Sequence, residues 1–375
     1  MYINFWYPIA KSEDVVTYEP HRTMVLGQQL VAFRDTEGAA HVLSDVCIHR
    51  GGALGKGWVK GGTVVCPYHG WQFAGDGQCK HIPTLDDGKV PARAKVDSYP
   101  IQEKYGIVFA FLGDLPEEER PPLRIIEEYD QEGWRANKLL VFEVGAFYER
   151  SIENGLDPSH NEFVHPAQGS PTMNPDFLKK PIEMKDGPWG SEFLVRFDNK
   201  LTNTRVLSGV AQAVPEVTAG SGYVGPNQMI TWIRFSDESM FHQYFYEAPI
   251  DESHTRIFFV NMRTFMLEPE NDNRLVNINL IVAKEDIDIL EALDPVGTPD
   301  NPTEEVLVPS DGAVLSYRTF LKQWKDKGWR IDIDTQQAKR KNKAYAIPCP
   351  ARRTTGNWVL DPVPMMSPTD ESKAA

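Results

Sequence analysis

Cysteine is scarce: Cys47, Cys66, Cys79 and Cys349 are the only four in a chain of 375 residues. So few exclude a disulfide scaffold and fit a reducing compartment. Long hydrophobic runs are absent as well. No stretch approaches the ~20 apolar residues of a membrane span, and the opening MYINFWYPIAKSED lacks the basic, apolar, small-residue order of a signal peptide. A cytoplasmic protein is expected. Positive charge is in deficit, with 39 Lys and Arg against 53 Asp and Glu and a formal net charge of -14. That balance speaks against a nucleic-acid or anionic-membrane partner. The 41% hydrophobic content and the length allow two domains, each with its own core.

From Val15 to Gly113 the chain reads as short strands broken by glycine turns, among them Met24–Leu26, Leu30–Phe33, Ala40–Leu43, Gly62–Val65 and Ile107–Phe111. This pattern predicts a small all-β sandwich or barrel. Two of its turns carry Cys47-Ile48-His49-Arg50-Gly51-Gly52 and Cys66-Pro67-Tyr68-His69-Gly70-Trp71, with sixteen residues between His49 and Cys66. A structural zinc usually draws like residues in pairs, two cysteines from one element and two histidines from another. Here each turn offers one of each. The mixture suits a two-iron cluster with thiolates on one iron and imidazoles on the other, and on ligand types alone zinc stays open.

A second cluster of donors lies in SIENGLDPSHNEFVHP, Ser151 to Pro166, which holds Asn154, Asp157, His160 and His165 within a dozen residues. The first three fall at steps of three and would share one stripe of a helix. His165 lies five residues beyond His160, so both rings can face one metal only if the helix opens a wide turn or ends between them. Buried, hydrogen-bonded histidines at a helix end are the plainer alternative. A carboxylate would complete the two-histidine, one-carboxylate face of non-haem Fe(II) sites. Read as a helix, Lys284 to Leu293 puts Asp286 on the face of Ile289, Leu290 and Leu293, whereas Asp288 sits with Glu291 and Ala292. An inward carboxylate needs a proton, a partner or a metal. Asp286 is therefore a better third donor than Glu285 or Asp288, with an arginine partner as the alternative.

CIHRGGAL and CPYHGWQF resemble the two cluster loops of Rieske [2Fe-2S] proteins, and most of the chain resembles the α subunits of Rieske non-haem iron oxygenases. FWYPIA at Phe5 to Ala10 is similar to the family's opening, and ENGLDPSHNEFVH to its iron motif. The resemblance implies an α+β protein, with an N-terminal all-β Rieske domain and a helix-grip-like catalytic domain built on an antiparallel sheet flanked by helices. It implies that Cys47 and Cys66 bind one cluster iron and His49 and His69 the other. His160, His165 and Asp286 would hold a mononuclear Fe(II), Asp157 would join the two centres, and Asn154 would be a polar neighbour of the iron. Val308–Asp311 through Tyr317-Arg318 resembles a segment of some monooxygenase-type members. The expected activity is that of a terminal oxygenase component. It would use O2 and electrons from an NAD(P)H-dependent reductase, with or without a ferredoxin, to hydroxylate or oxidatively dealkylate a small, mainly apolar aromatic or alicyclic compound. Cis-dihydroxylation and a Rieske electron carrier without oxygenase activity are the alternatives. No dinucleotide fingerprint is read in the chain, so a partner must supply the electrons. A homotrimer is implied as well, in which one subunit's cluster serves the next subunit's iron.

The expected domains are 1–114 for the cluster, 115–122 (LPEEERPP) as linker, 123–366 for catalysis and a disordered tail over 367–375. Helices are expected over Ile152–Phe163, Pro269–Leu293 and Ala313–Lys325, the last with Val314, Tyr317, Leu321 and Trp324 as an apolar stripe. Phe142, Phe147, Phe163, Trp232, Phe241 and Tyr244 are candidates for an apolar pocket or for core. His21, His41, His81, His242 and His254 are read as structural or surface residues, and Cys79 and Cys349 as packing residues.

Overall fold

A computed structural model describes residues 1–85, 88–165, 172–173, 182–198 and 216–369. The chain divides into two compact units, Met1–Pro122 with Gln323–Ala375, and Leu123–Lys322. The antiparallel sheets and helices make it an α+β protein.

The first unit is built on three small antiparallel sheets. β1 (Phe5–Lys11), β2 (His21–Val25), β3 (Gln28–Arg34) and β4 (Ala40–Ser44) are followed by β5 (Trp58–Lys60), β6 (Thr63–Val65), β7 (Gln72–Phe73) and β8 (Cys79–His81). β9 (Ser98–Tyr99), β10 (Ile101–Lys104) and β11 (Ile107–Leu112) complete the set. The sheet orders are β1-β11-β10, β2-β3-β4-β9 and β5-β6-β7-β8. β11 is apolar at every position and buried at every position, because both of its faces pack inward. Phe33, Leu43, Leu54, Val64 and Phe73 form a core that also takes in Cys47 and Cys66.

Residues 323–366 were expected with the catalytic domain, but their contacts are with this first unit. Trp324 meets Phe5 edge-on at 4.7 Å, and the Ile3 and Ile331 amides donate to the Trp329 and Met1 carbonyls, both at 2.9 Å. Asp97, fully buried, accepts from Arg352 Nε at 2.5 Å and Nη2 at 2.8 Å. Lys95 Nζ donates to the Gly356 carbonyl at 2.9 Å and stands over the Trp358 ring. A buried carboxylate needs its cation, and that cation lies 255 residues away in sequence. Of the expected tail, residues 370–375 lie outside the described residues.

The second unit opens with β12 (Arg135–Ala136) and β13 (Leu140–Val144), then the helices α1 (Tyr148–Leu156) and α2 (Asn161–Val164). β14 (Thr172–Met173), β15 (Lys185–Asp186), β16 (Ser191–Asp198), β17 (Glu216–Val224), β18 (Gln228–Arg234), β19 (Met240–Pro249) and β20 (Thr255–Arg263) follow, before α3 (Asp272–Leu290) and α4 (Gly312–Asp326). The nine strands form one antiparallel sheet whose main order is β12-β20-β19-β18-β17-β16-β14. Side chains alternate across it. Phe241, Gln243, Phe245 and Glu247 of β19 face a cavity shared with α1 and α3, while His242 and Tyr244 on the other side both bond Glu128. The spacing Gly220-Ser221-Gly222-Tyr223-Val224-Gly225 is that of a dinucleotide fingerprint. It lies in β17 and the hairpin turn into β18, with no helix opening after it to receive a phosphate. The stripe expected on α4 is buried at Val314, Tyr317, Leu321 and Trp324. Among the described residues no helix is long and apolar enough to cross a membrane.

Candidate functional site

The expected helical stripe through Asn154, Asp157 and His160 does not form, because α1 ends at Leu156. Asp157 turns to extended backbone (φ -92°, ψ 110°) ahead of Pro158, as a residue before proline must. The chain re-enters a single helical turn at Asn161 with His160 as its cap. This break is what turns both rings to one point.

His160 Nε2, His165 Nε2 and Asp286 Oδ1 converge, the two nitrogens 3.2 Å apart and the carboxylate oxygen 3.6 Å and 3.2 Å from them. Each Nδ1 faces an acceptor: the Asp157 carbonyl at 2.5 Å for His160, and Glu285 Oε2 at 3.0 Å for His165. These acceptors assign the ring protons to Nδ1, so both Nε2 atoms present lone pairs. Two lone pairs and a carboxylate oxygen repel one another unless a cation lies between them. Donors bound at ~2.1 Å and at right angles stand about 3.0 Å apart, close to the spacing seen here. Burial draws the His160 imidazole below its ordinary pKa. At His165 burial acts the same way, but the Asp286 and Glu285 carboxylates outweigh it and the net shift is upward.

Asn154 Nδ2 donates to Asp286 Oδ1 at 3.0 Å and so orients the carboxylate. The Asp157 carboxylate accepts from the Ser159 amide at 2.7 Å, and it is the Asp157 main chain that holds His160. Asp286 does face the cavity. Of the residues expected to share its face, Leu290 is buried but Ile289 is 48% exposed; the inward stripe runs instead through Leu275, Asn279, Asp286 and Leu290. Asp288 is ion-paired with Lys284 on the outside. Glu285, set aside as a ligand in the sequence reading, serves as the acceptor that orients His165; no local pattern marks it.

Above these donors lies an apolar cavity of about 210 Å³. Of the residues left open between pocket and core, Phe142 and Phe241 line it, Phe147 is core, Phe163 is 82% exposed, and Trp232 and Tyr244 fall on the outer face of the sheet. Phe193, Phe235, Phe245 and Phe259 supply the remaining aromatic wall together with Phe265.

In the first unit the two Cys–His turns share one backbone scheme. The Cys47 amide donates to the Gly52 carbonyl and Gly51 N–H returns to the Cys47 carbonyl, both at 2.8 Å. Cys66 repeats this with Trp71 at 2.8 Å and Gly70 at 2.9 Å. Gly51 and Gly70 both have φ +71°, where a side chain would be strained. The thiols are buried and the imidazoles exposed, His49 stacked on Trp71 and 4.3 Å from the His69 ring. A Cβ on Gly52 would come within 2.9 Å of Cys66 Sγ. Burial pushes the Cys47 thiol up to about 12. Such a thiol ionises only beside a cation, and two buried thiols with two imidazoles on symmetric turns fit the iron–sulfur group.

Residues 5–100 match the Rieske [2Fe-2S] domain, and residues 144–327 the vanillate O-demethylase oxygenase C-terminal domain. The chain belongs to the Rieske oxygenase α subunits. It is 27% identical to the oxygenase component of 3-ketosteroid-9-alpha-monooxygenase from Mycolicibacterium smegmatis, over 86% of this chain and 82% of that protein. It is 26% identical to the methylxanthine N1-demethylase NdmA of Pseudomonas putida, over 86% and 89%. Among solved structures, dicamba monooxygenase bound to 3,6-dichlorosalicylic acid shares the fold with a TM-score of 0.72 at 23% identity, covering 87% of this chain and 98% of that one. As a Rieske oxygenase the protein is an oxidoreductase that incorporates oxygen, with a [2Fe-2S] cluster, a mononuclear iron and electrons from a separate reductase.

Proposed function

We propose that the second unit oxidises a small, mainly apolar aromatic or alicyclic compound by monohydroxylation or oxidative O- or N-dealkylation, at iron held by His160, His165 and Asp286. The observation that carries this reading is the convergence of three donor atoms at the floor of an apolar cavity. Cys47 and Cys66 hold one iron of the cluster, and His49 and His69 the other. When bound, the cluster supplies single electrons and the mononuclear iron activates O2. The protein's own part is positional. Glu285 and the Asp157 carbonyl fix the two imidazoles, Asn154 fixes the carboxylate, and the phenylalanine wall excludes water. The relatives named above act, by their names, on a ketosteroid and a methylxanthine, which favours monooxygenation and dealkylation over cis-dihydroxylation. An electron carrier has no use for an open three-donor site, which disfavours that alternative.

The residues 1–114 and the return of the C-terminal segment make the electron-accepting domain, and 123–322 the catalytic one. The protein works in the cytoplasm as a homotrimer, fed by its reductase directly or through a ferredoxin. A closed head-to-tail ring shortens the electron path by setting one subunit's His69 beside the next subunit's Asp157.

Iron analysis tests the assignment. The purified protein should hold close to three iron atoms per chain, and His160→Ala, His165→Ala or Asp286→Ala should lower this to two while the EPR signal of the reduced cluster persists. Retention of the third iron in Asp286→Ala, with its loss in Asp288→Ala or Glu285→Ala, would overturn the carboxylate assignment.

A further inference from the structure

Apart from Glu247, the sheet face toward the cavity is apolar but for one polar row. Ser221 is paired in register with Thr231, Thr231 with Gln243, and Gln243 with Asn261, on the four neighbouring strands β17 to β20. Ser221, Thr231 and Gln243 line the cavity, and Asn279 of α3 lines it from the opposite side. Polar side chains in such a wall are costly unless they are satisfied. Most of this row is: Asn137 Nδ2 donates to Asn261 Oδ1 at 2.9 Å, Asn279 Nδ2 to the same oxygen at 3.4 Å, and Ser221 and Thr231 hydroxyls lie 3.3 Å apart. The chain of amides ends at Gln243, whose Nε2 reaches Asn279 Oδ1 only at 3.5 Å. Thr231 and Gln243 are the half-buried members on central strands. Their exposure is into the cavity, because their neighbours Trp232, His242 and Tyr244 occupy the other face.

We propose that Thr231 and Gln243 form the polar anchor of the substrate site, and that the substrate is an uncharged, mainly apolar ring compound carrying a carbonyl or hydroxyl oxygen. The inference rests on reading the cavity as the substrate site. A carboxamide offers a donor and an acceptor on one rigid plane, and the adjacent hydroxyl offers either, so the pair matches one oxygen function. Charge completes the argument. Among the described residues the lining holds no lysine or arginine; its titratable groups are Asp157, Glu247 and Asp286 with His160 and His165. An anionic substrate would bury its carboxylate with no cation beyond the metal site, at large cost.

Calorimetric titration of the iron-loaded protein tests this with four probes of one shape: 4-phenylcyclohexanone, 4-phenylcyclohexanol, phenylcyclohexane and 4-phenylcyclohexanecarboxylate. The ketone or the alcohol should bind roughly tenfold or more tighter than the hydrocarbon, and the carboxylate weakest. In Gln243→Leu the ratio of ketone to hydrocarbon affinity should fall toward one. Thr231→Val, nearly isosteric, should reduce the ratio too and serves if the leucine variant does not fold. A ratio near one in the wild type, its survival in both variants, or a carboxylate bound as tightly as the ketone would overturn the anchor while leaving the cavity as the site. Failure of all four probes to bind would overturn the cavity reading and the anchor with it.

Discussion

Glu247 shares that sheet face on β19, beyond Phe245 from Gln243, and is fully buried, with Oε1 accepting from Ser151 Oγ at 2.7 Å and Oε2 without a hydrogen-bond partner among the described residues. Burial pushes its carboxyl up to about 8 from an ordinary 4.5. Between those values the folded protein keeps a proton that the unfolded chain has released, so the folded state loses stability as pH rises through this window. Below about 4.5 both states are protonated and the effect vanishes. Over the full window the loss amounts to about 5 kcal/mol. Glu247→Gln should abolish it, and melting curves of the two proteins from pH 5 to 8 should diverge, the wild type falling faster. Parallel curves would mean that the carboxylate is accommodated without penalty. Ser151 lies one turn before Asn154 on α1, so the same helix face carries both the neutral carboxyl's partner and the group that orients Asp286.

At the scale of the element, α1 is the part that must not move, since Asn154 and the Asp157 carbonyl both hang from its C-terminal end. It is clamped by a buried ion network. Arg318 of α4 forks onto Glu153 with bonds of 2.6 and 2.9 Å, and Glu305 bridges Arg318 and Arg150, both at 2.8 Å. Arg318, noted in the sequence only by likeness, thus holds the helix that carries Asn154. Removing one partner of a buried pair leaves the other charge uncompensated, at about 3–5 kcal/mol. Arg318→Leu should cost the second unit that much in urea denaturation and weaken retention of the mononuclear iron, with the cluster spectrum unaffected. Glu153→Leu combined with Arg318→Leu should recover much of the loss, because no orphaned charge remains. A single-variant cost below about 1 kcal/mol would show that the pair is screened and that α1 is held by packing instead.

For the whole molecule, the C-terminal return is the feature that a linear reading misassigns. Arg352 neutralises buried Asp97, while Lys343 pairs with Asp361. Arg352→Leu should therefore destabilise the cluster-bearing unit by about 3–5 kcal/mol, read as earlier thermal bleaching of the cluster. Bleaching at the wild-type temperature would remove Asp97–Arg352 from the fold's supports. The proposed trimer carries its own prediction. Asp157→Asn should keep both metals and the oligomeric state yet lower turnover by the roughly 10- to 100-fold typical of groups that orient metal ligands. Stopped-flow reoxidation of the reduced cluster at the wild-type rate, with substrate and O2 present, would take Asp157 off the electron path.

By itself the sequence determined the donor types and their spacing, and its resemblance to the family's loops named the two kinds of metal centre. Cys47-x-His49 and Cys66-x-x-His69 sit on tight turns closed by their own backbone, and His160 and His165 are five residues apart just after Pro158, so neighbours in the chain are neighbours in space. The inward face of α3 was legible at Asp286 because a period of 3.6 residues leaves few choices. Only the tertiary structure decided what depends on register and long-range return. Thr231 meets Gln243, and Gln243 meets Asn261, through strand pairing that a slip of one residue would turn to the other face. Glu285 meets His165 across 120 residues, and Asp97 meets Arg352 across 255. Each of these contacts is fixed by where whole elements pack, a quantity that no local pattern of residues carries.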